Sequence, residues 1–167
     1  MHFSVKICYL EGMKAEWINP FIVATRDTFD RMMRLKVSNG KPYLLSAEMN
    51  TKDISGMIGL SGSIRGAVVI GFPTESALRI VNTFMQENFT QLGPDVSDAV
   101  GEIANIIAGY VKKFIPTETI DISLPSVVRG EKHMVQMPKD SPVLVIPFES
   151  EQGTFVLEVA MRSTSGS

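Results

Sequence analysis

Hydrophobic residues recur at three- and four-residue spacing in three stretches of the chain, which predicts three amphipathic helices. The first stretch, WINPFIVATRDTFDRMMRL, ends before the turn signal NGKP. Pro20 fits only in its first turn, and Asn19 is the predicted N-cap. Thr74 is the predicted N-cap of the second helix, and the third helix runs from Pro94 to a stop at Pro116. The buried side of the second helix is predicted to carry Ala77, Leu78, Ile80, Val81, Phe84 and Met85.

Alternating patterns predict strands between and after these helices. The segment ISGMIGLSGSIRGAVVIGFP predicts a hairpin that turns near residues 61–63, and its alternating glycines indicate a sheet face closely covered by a helix or another backbone. Short strands are predicted around IDISLP, SVVRG and HMVQM, followed by a second hairpin that turns at 151–153. The order helix, hairpin, helix, helix, hairpin predicts an α+β fold with long helices packed on a mostly antiparallel sheet and two related halves.

The length and composition fit one compact domain. A chain of 167 residues, 44% of them hydrophobic, can close one sizeable core. We expect residues 1–12 to form an N-terminal extension, 13–162 the domain, and 163–167 a disordered tail. Met13 directly follows the first twelve residues, so the sequence leaves open whether Met1 or Met13 is the true start.

Several classes of function are disfavoured by the composition. Sixteen basic and eighteen acidic residues leave no basic footprint for non-specific nucleic-acid binding. The longest apolar runs are strand-sized, far short of the roughly 20 residues that span a bilayer. Cys8 is the only cysteine, which excludes an internal disulfide and favours a reducing cytoplasm. His2 and His133 have no histidine or cysteine nearby in sequence, which disfavours a structural zinc site and a Cys/His nucleophile pair, whereas carboxylate magnesium sites stay open on composition.

One face of the third helix carries an unusual set of residues. At about 100° per residue, Asp98, Glu102, Asn105 and Gly109 fall within roughly 60° of arc. The opposite side carries Val100, Ile103, Ile107, Tyr110 and Val111. The polar stripe is either a solvated face or a docking face. A glycine inside a helix costs about 1 kcal/mol relative to alanine, and close approach by another surface would explain that cost.

The same segment, DAVGEIANIIAGYVKK, resembles the signature of the CheC, CheX and FliY phosphatases of bacterial chemotaxis. That signature reads Asp or Ser, three residues, Glu, two residues, Asn, three residues, Gly. Asp98, Glu102, Asn105 and Gly109 occupy its four positions. The segments MIGLSGSIRGAVVIGF, SALRIVNTFM and ISLPSVVRG are also similar to the CheX branch, over residues 13–161. The resemblance implies the pseudo-two-fold CheC/CheX arrangement.

The resemblance also implies an activity, the removal of the phosphoryl group from the aspartate of a CheY-type response regulator. In this interpretation Asn105 positions a water molecule in line with the phosphorus, because its amide both donates and accepts hydrogen bonds. Glu102 pairs with the receiver's active-site lysine. Asp98 and Gly109 are predicted to contact the partner. The resemblance implies that the Mg²⁺ ion belongs to the receiver domain and that this chain has no metal site or cofactor of its own.

A second Glu-x-x-Asn pair, Glu16 and Asn19, precedes Pro20 and has Val23 where the signature has glycine. We interpret it as a helix entrance and therefore predict one active surface per chain. CheX-like members with one motif are typically homodimers, so we expect a homodimer, although the sequence does not identify the contacting strand.

Three functions remain as alternatives from the sequence. The first is the phosphatase, and the second is a non-catalytic module that uses the same helix face to hold a receiver or a flagellar switch protein. The third is a small-molecule sensor. The sequence does not identify the receiver, or whether the output is motility or another pathway.

Overall fold

Three helices and eight strands make up the described part of the chain. The computed structural model describes residues 15–45, 52–115, 118–131, 133, 135–139 and 141–164. A 3-10 turn, Ala15–Trp17, precedes the helices α1 (Ile18–Met33), α2 (Thr74–Met85) and α3 (Pro94–Phe114). The strands are β1 (Ser38–Asn39), β2 (Tyr43–Leu44), β3 (Ile54–Gly62), β4 (Ile64–Phe72), β5 (Ile120–Ile122), β6 (Ser126–Arg129), β7 (Leu144–Ser150) and β8 (Gly153–Ser163). No helix in the described ranges has both the length and the apolar content needed to cross a bilayer.

The strands form one antiparallel sheet in the order β1, β7, β8, β4, β3, β5, with β2 also on β7 and β6 also on β3. The two predicted hairpins, β3–β4 and β7–β8, meet in the middle, where Val68 lies opposite Val159. Each half of the chain consists of a long helix, two short strands and a hairpin, and its short strands border the other half's hairpin. This exchange confirms the predicted α+β class and its pseudo-two-fold arrangement.

A cluster of four phenylalanines joins α1 to the sheet. The ring of Phe155 on β8 stacks on Phe29 of α1 at 4.6 Å between centroids, and on Phe148 of β7 at 5.1 Å. Phe72 of β4 lies 5.4 Å away at a tilt of 34°. All four side chains are at most 2% exposed. Each such pair contributes about 0.5–1.5 kcal/mol beyond the area it buries, so the cluster fixes α1 against both hairpins.

Helix α3 lies close to the sheet because β3 presents a glycine beneath it. A Cβ atom at Gly56 would lie 3.1 Å from the carbonyl oxygen of Val100 and 3.2 Å from the Cβ of Ala104. Elsewhere in the sheet, a Cβ at Gly66 would collide with the carbonyl oxygen of Ala160 on the neighbouring strand. The predicted close cover of the glycine-rich strands by a helix and by backbone is confirmed.

Both predicted N-caps were wrong. The N-cap position of α1 belongs to Trp17, and Asn19 is the second residue of the helix, with an exposed side chain. Thr74 is the first residue within α2 and receives its cap from elsewhere. Its backbone N–H and its hydroxyl both donate to Oδ2 of Asp53, at 2.8 Å each. The capping carboxylate comes from the segment before β3, which no local pattern reveals.

Four other details differ from the sequence prediction. The described residues of HMVQM are not a strand, and His133 instead forms hydrogen bonds with Gly130 and Ser55. The short strands β1, which includes Asn39 of NGKP, and β2, which follows NGKP, were missed. Met85 is 46% exposed rather than buried. Strand β8 runs through Ser163. Thr164 donates hydrogen bonds to the carbonyls of Ser63 and Gly62 in the β3–β4 turn, so the structured part of the chain extends beyond residue 162. Residues 1–12, Pro116 and 165–167 lie outside the described residues.

The sheet face opposite the helices holds a buried ion pair. Side chains alternate along β8, so Glu158 points away from its helix-facing neighbours Leu157 and Val159. Lys52 donates from its Nζ to Oε1 of Glu158, and the two residues are 3% and 1% exposed. Oε2 of Glu158 has no hydrogen-bond partner among the described residues. Burial, and secondly the Glu158 carboxylate, raise the pKa of the Tyr43 hydroxyl.

We expect Glu158→Gln to lower the free energy of unfolding by about 3–5 kcal/mol, because it leaves the Lys52 ammonium buried without a counter-charge. Urea unfolding of the purified protein measures this loss. The double variant Lys52→Met, Glu158→Leu should recover most of the loss, since apolar side chains of similar volume often replace a buried pair at little cost. A single variant as stable as the parent would show that the pair is not held as described.

Candidate functional site

The outward face of α3 presents the four residues of the predicted stripe. Asp98 and Glu102 are exposed, and Asn105 and Gly109 are partly buried. The inner side of the helix packs into the core through Val96, Val100, Ile103, Ile107 and Val111. The predicted division of this helix into two faces is therefore confirmed, except that Tyr110 is only partly buried.

Glu102 and Asn105 are neighbours one helical turn apart, a spacing that places their Cβ atoms about 5–6 Å from each other. Neither side chain forms a salt bridge or a hydrogen bond with another residue that the structure describes. The amide of Asn105 keeps both its donors and its acceptor available, and the carboxylate of Glu102 keeps its acceptors available. The pair can thus act on groups outside this chain.

Internal packing does not explain the glycine at position 109. An added Cβ there would meet no heavy atom within 4 Å. Gly101 of the same helix differs, because a Cβ at that position would lie 3.3 Å from Cγ2 of Val127. A mid-helix glycine costs about 1 kcal/mol relative to alanine. At Gly101 this cost is offset because the absence of a side chain lets α3 pack against β6. At Gly109 no described residue makes a contact that would offset the cost.

A cleft with a volume of about 690 Å³ opens beside the stripe. One wall is formed by the end of α2 and the loop that follows, and the other by the first half of α3. The lining residues are Phe84, Met85, Glu87, Phe89, Asp95, Asp98, Ala99 and Glu102. Sequence reasoning missed this cleft, because it depends on how α2 packs against α3. The one local sign was that the apolar pattern of the second helix continues through Phe84 and Met85 to the helix end.

The loop wall of the cleft is held by hydrogen bonds from two side chains, those of Asn82 and Arg129. Asn82 of α2 accepts a hydrogen bond from the N–H of Phe89 at 2.8 Å and donates one to the carbonyl of Phe89 at 3.1 Å. Arg129 of β6 donates to the carbonyl of Leu92 at 3.1 Å. These bonds tie the α2–α3 loop to the body of the domain at two points.

The other end of α3 carries a basic cluster around Tyr110. Nη1 of Arg31 on α1 donates to the Tyr110 hydroxyl at 2.8 Å, and its guanidinium carbon lies 5.7 Å from the ring centroid. Nζ of Lys113 lies 5.6 Å from the same centroid. Such cation–π contacts at exposed sites contribute about 0.5–1 kcal/mol. The stripe therefore runs from an acidic end to a basic end.

The second Glu-x-x-Asn pair lies at the start of α1, as predicted. Glu16 belongs to the 3-10 turn and Asn19 to the first turn of the helix, and both are exposed. Neither residue lines the cleft beside the stripe on α3. Across the described residues, no three His, Cys, Asp or Glu side chains are grouped so as to hold a metal ion.

The family model for the chemotaxis phosphatase CheX matches residues 54–149 of this chain, which include the whole of α3. The CheY-P phosphatase CheX of Thermotoga maritima is 28% identical over 121 residues, covering 71% of this chain and 78% of that protein.

Solved structures extend the similarity to nearly the full chain. The CheX protein of Vibrio vulnificus is 30% identical and superimposes with a TM-score of 0.82, covering 89% of this chain and 100% of that one. CheX from Borrelia burgdorferi, solved in complex with CheY, BeF₃ and Mg²⁺, is 26% identical with a TM-score of 0.78, covering 90% of this chain and 100% of that one. The resemblance read from residues 98–109 and their surroundings is thus confirmed, and this chain belongs to the CheX family of chemotaxis phosphatases.

Proposed function

We propose that this protein accelerates hydrolysis of the aspartyl phosphate on a CheY-type receiver domain. The observation that carries this proposal is the pair Glu102 and Asn105, exposed or partly exposed on α3 and bonded to no other described residue. Two relatives support it by what their names state. The T. maritima protein is a CheY-P phosphatase, and the B. burgdorferi protein was crystallised with CheY.

Asn105 is proposed to position the attacking water. Its carboxamide would accept a hydrogen bond from the water and donate one to a phosphoryl oxygen, which aligns the water oxygen with the phosphorus. The water oxygen then bonds to phosphorus as the bond to the aspartate oxygen breaks. Inorganic phosphate leaves, and the receiver regains its carboxylate. Holding a reactant in line can lower a barrier by several kcal/mol without a nucleophile of the chain's own.

Glu102 is proposed to pair with the receiver's active-site lysine. A carboxylate and an ammonium form a charge-assisted hydrogen bond, which would anchor the receiver one helical turn from Asn105. The Mg²⁺ ion that neutralises phosphoryl charge would belong to the receiver, and the CheX–CheY complex of B. burgdorferi contains Mg²⁺. Asp98 and Gly109 would complete the contact surface. The proposal includes a cytoplasmic location, where a receiver substrate would be available.

We expect Asn105→Ala to lower the receiver-dependent rate of phosphate release by about a hundredfold or more, because the water loses its positioning group. The measurement follows phosphate release from a phosphorylated receiver at substoichiometric amounts of this protein. Asn19→Ala, the same change on the exposed start of α1, is the matched control and should keep full activity. A wild-type protein that binds the receiver without accelerating its decay would favour the adaptor alternative instead.

Gly109→Ala should change stability and activity in opposite directions. An added methyl group has open space around it, so the free energy of unfolding should rise by up to about 1 kcal/mol. The same methyl group would stand where the receiver approaches, so phosphatase activity should fall. Gly101→Ala serves as the contrast, since its Cβ would press on Val127 and offset the gain in helix propensity. Unchanged activity in a more stable Gly109→Ala protein would exclude a close approach at this position.

A homodimer is also part of the proposal. Edge strands β5 and β6 are short, and the segment that joins them carries Leu124, which is 88% exposed. Val128 on β6 is 38% exposed. Exposed apolar residues on a sheet edge favour pairing with a second copy.

Light scattering after gel filtration should give twice the chain mass of 18.4 kDa, and Leu124→Lys should shift the protein toward the monomer. A monomeric wild-type protein would refute the dimer.

A further inference from the structure

We infer that the cleft between α2 and α3 is the docking surface by which this protein selects its receiver, and that it takes a receiver surface on which an apolar side chain lies beside basic ones. The inference rests on the proposed function and extends it from the reacting pair to the choice of partner.

The cleft is lined by acidic side chains, which favours a basic occupant. Glu87 and Asp95 line it together with Asp98 and Glu102, and no lysine, arginine or histidine does. Neither salt bridge between described residues involves any of the four. They do not form a metal-holding group either. Like charges on one surface repel, and a partner with basic side chains there gains complementarity and a faster encounter.

The wall formed by the end of α2 and the loop after it is partly apolar, which favours an apolar side chain on the partner. Met85 is 46% exposed at the end of α2, and Phe84 and Phe89 are partly buried beside it. A flexible thioether adapts to side chains of different shape. The Asn82 bonds hold the loop in place before a partner arrives, so little ordering cost remains for binding. A volume of about 690 Å³ has room for several side chains.

Continuity with the reacting pair identifies the occupant as the receiver. Glu102 belongs both to the cleft lining and to the stripe that carries Asn105. A receiver whose phosphoryl group reaches Asn105 must therefore lie against the cleft as well.

The change of charge along α3 fixes the direction in which the receiver docks. Asp98 lies at the acidic end and Lys112 at the basic end, fourteen residues or about 21 Å apart along the axis. A receiver turned end to end would bring basic groups against Lys112 and Arg31. In the favoured direction, the basic surface of the receiver lies on the cleft and its anionic phosphoryl group lies over Asn105.

The test compares two charge reversals at exposed positions. Glu87→Lys lies in the cleft, and Glu151→Lys lies in the β7–β8 turn, outside it. Binding is measured against each CheY-type receiver of the same genome, activated with BeF₃ and Mg²⁺, and phosphate release is measured in parallel. We expect Glu87→Lys to raise Kd and KM about five- to tenfold at low salt with kcat unchanged, and the difference to shrink near 1 M salt, where the Debye length is about 3 Å. Glu151→Lys should match the wild type.

A second variant tests the apolar wall. Met85→Ala should weaken binding about threefold or more by loss of apolar contact, to the same extent at low and high salt. If Glu87→Lys and Met85→Ala both bind as the wild type does while Asn105→Ala abolishes phosphate release, the cleft inference is wrong and the proposed function stands. If the wild type neither binds nor dephosphorylates any receiver, both fail.

Discussion

The close contact between α3 and the glycine of β3 is the constraint on which the site depends. A Cβ atom at position 56 would lie 3.1 Å from the carbonyl oxygen of Val100 and 3.2 Å from the Cβ of Ala104, so a larger residue there would push α3 away from the sheet by a few tenths of an ångström. That contact fixes how far the helix is rotated about its axis. The inner face is thereby committed to the core, and Glu102 and Asn105 are committed to the opposite side. A core contact on one face of α3 thus determines the chemistry presented on the other.

The candidate site lies where the pseudo-two-fold arrangement is broken. The two halves share a long helix, two short strands and a hairpin, but α2 follows only the first half. That extra helix packs against α3 and, with the loop after it, supplies one wall of the cleft. Glu16 and Asn19 at the start of α1 do not line this cleft. Among the described elements, the cleft thus belongs to α3 and not to α1.

The sequence predicted what depends on local pattern and missed what depends on distant contacts. Three-and-four spacing and alternation were enough for the helices and both hairpins, and helical geometry was enough to place Asp98 to Gly109 on one face. The cap of α2 was missed because it comes from Asp53, and the two-residue strands β1 and β2 exist only through their pairing with β7. The cleft wall was missed because Met85 is apolar and ends a helix, which on pattern alone predicts burial. Met85 is exposed because α2 and α3 leave a cleft between them at this point.

The outward face of α3 carries residues that lower the free energy of unfolding, and this supports the presence of a partner. The chain partners the buried carboxylate of Glu158 with Lys52, yet leaves Glu102 and Asn105 without a bond to any described residue. It keeps a glycine at 109 where alanine would fit and would add up to about 1 kcal/mol. A domain whose net stability is only about 5–15 kcal/mol gives up a measurable fraction in this way. Nothing among the described residues offsets that loss, and a partner surface that covers the stripe would account for it. The unbonded pair, Glu102 and Asn105, and the glycine at 109 lie on the same face of α3, which is acidic at one end and basic at the other. A single partner that docks in one direction would require this arrangement.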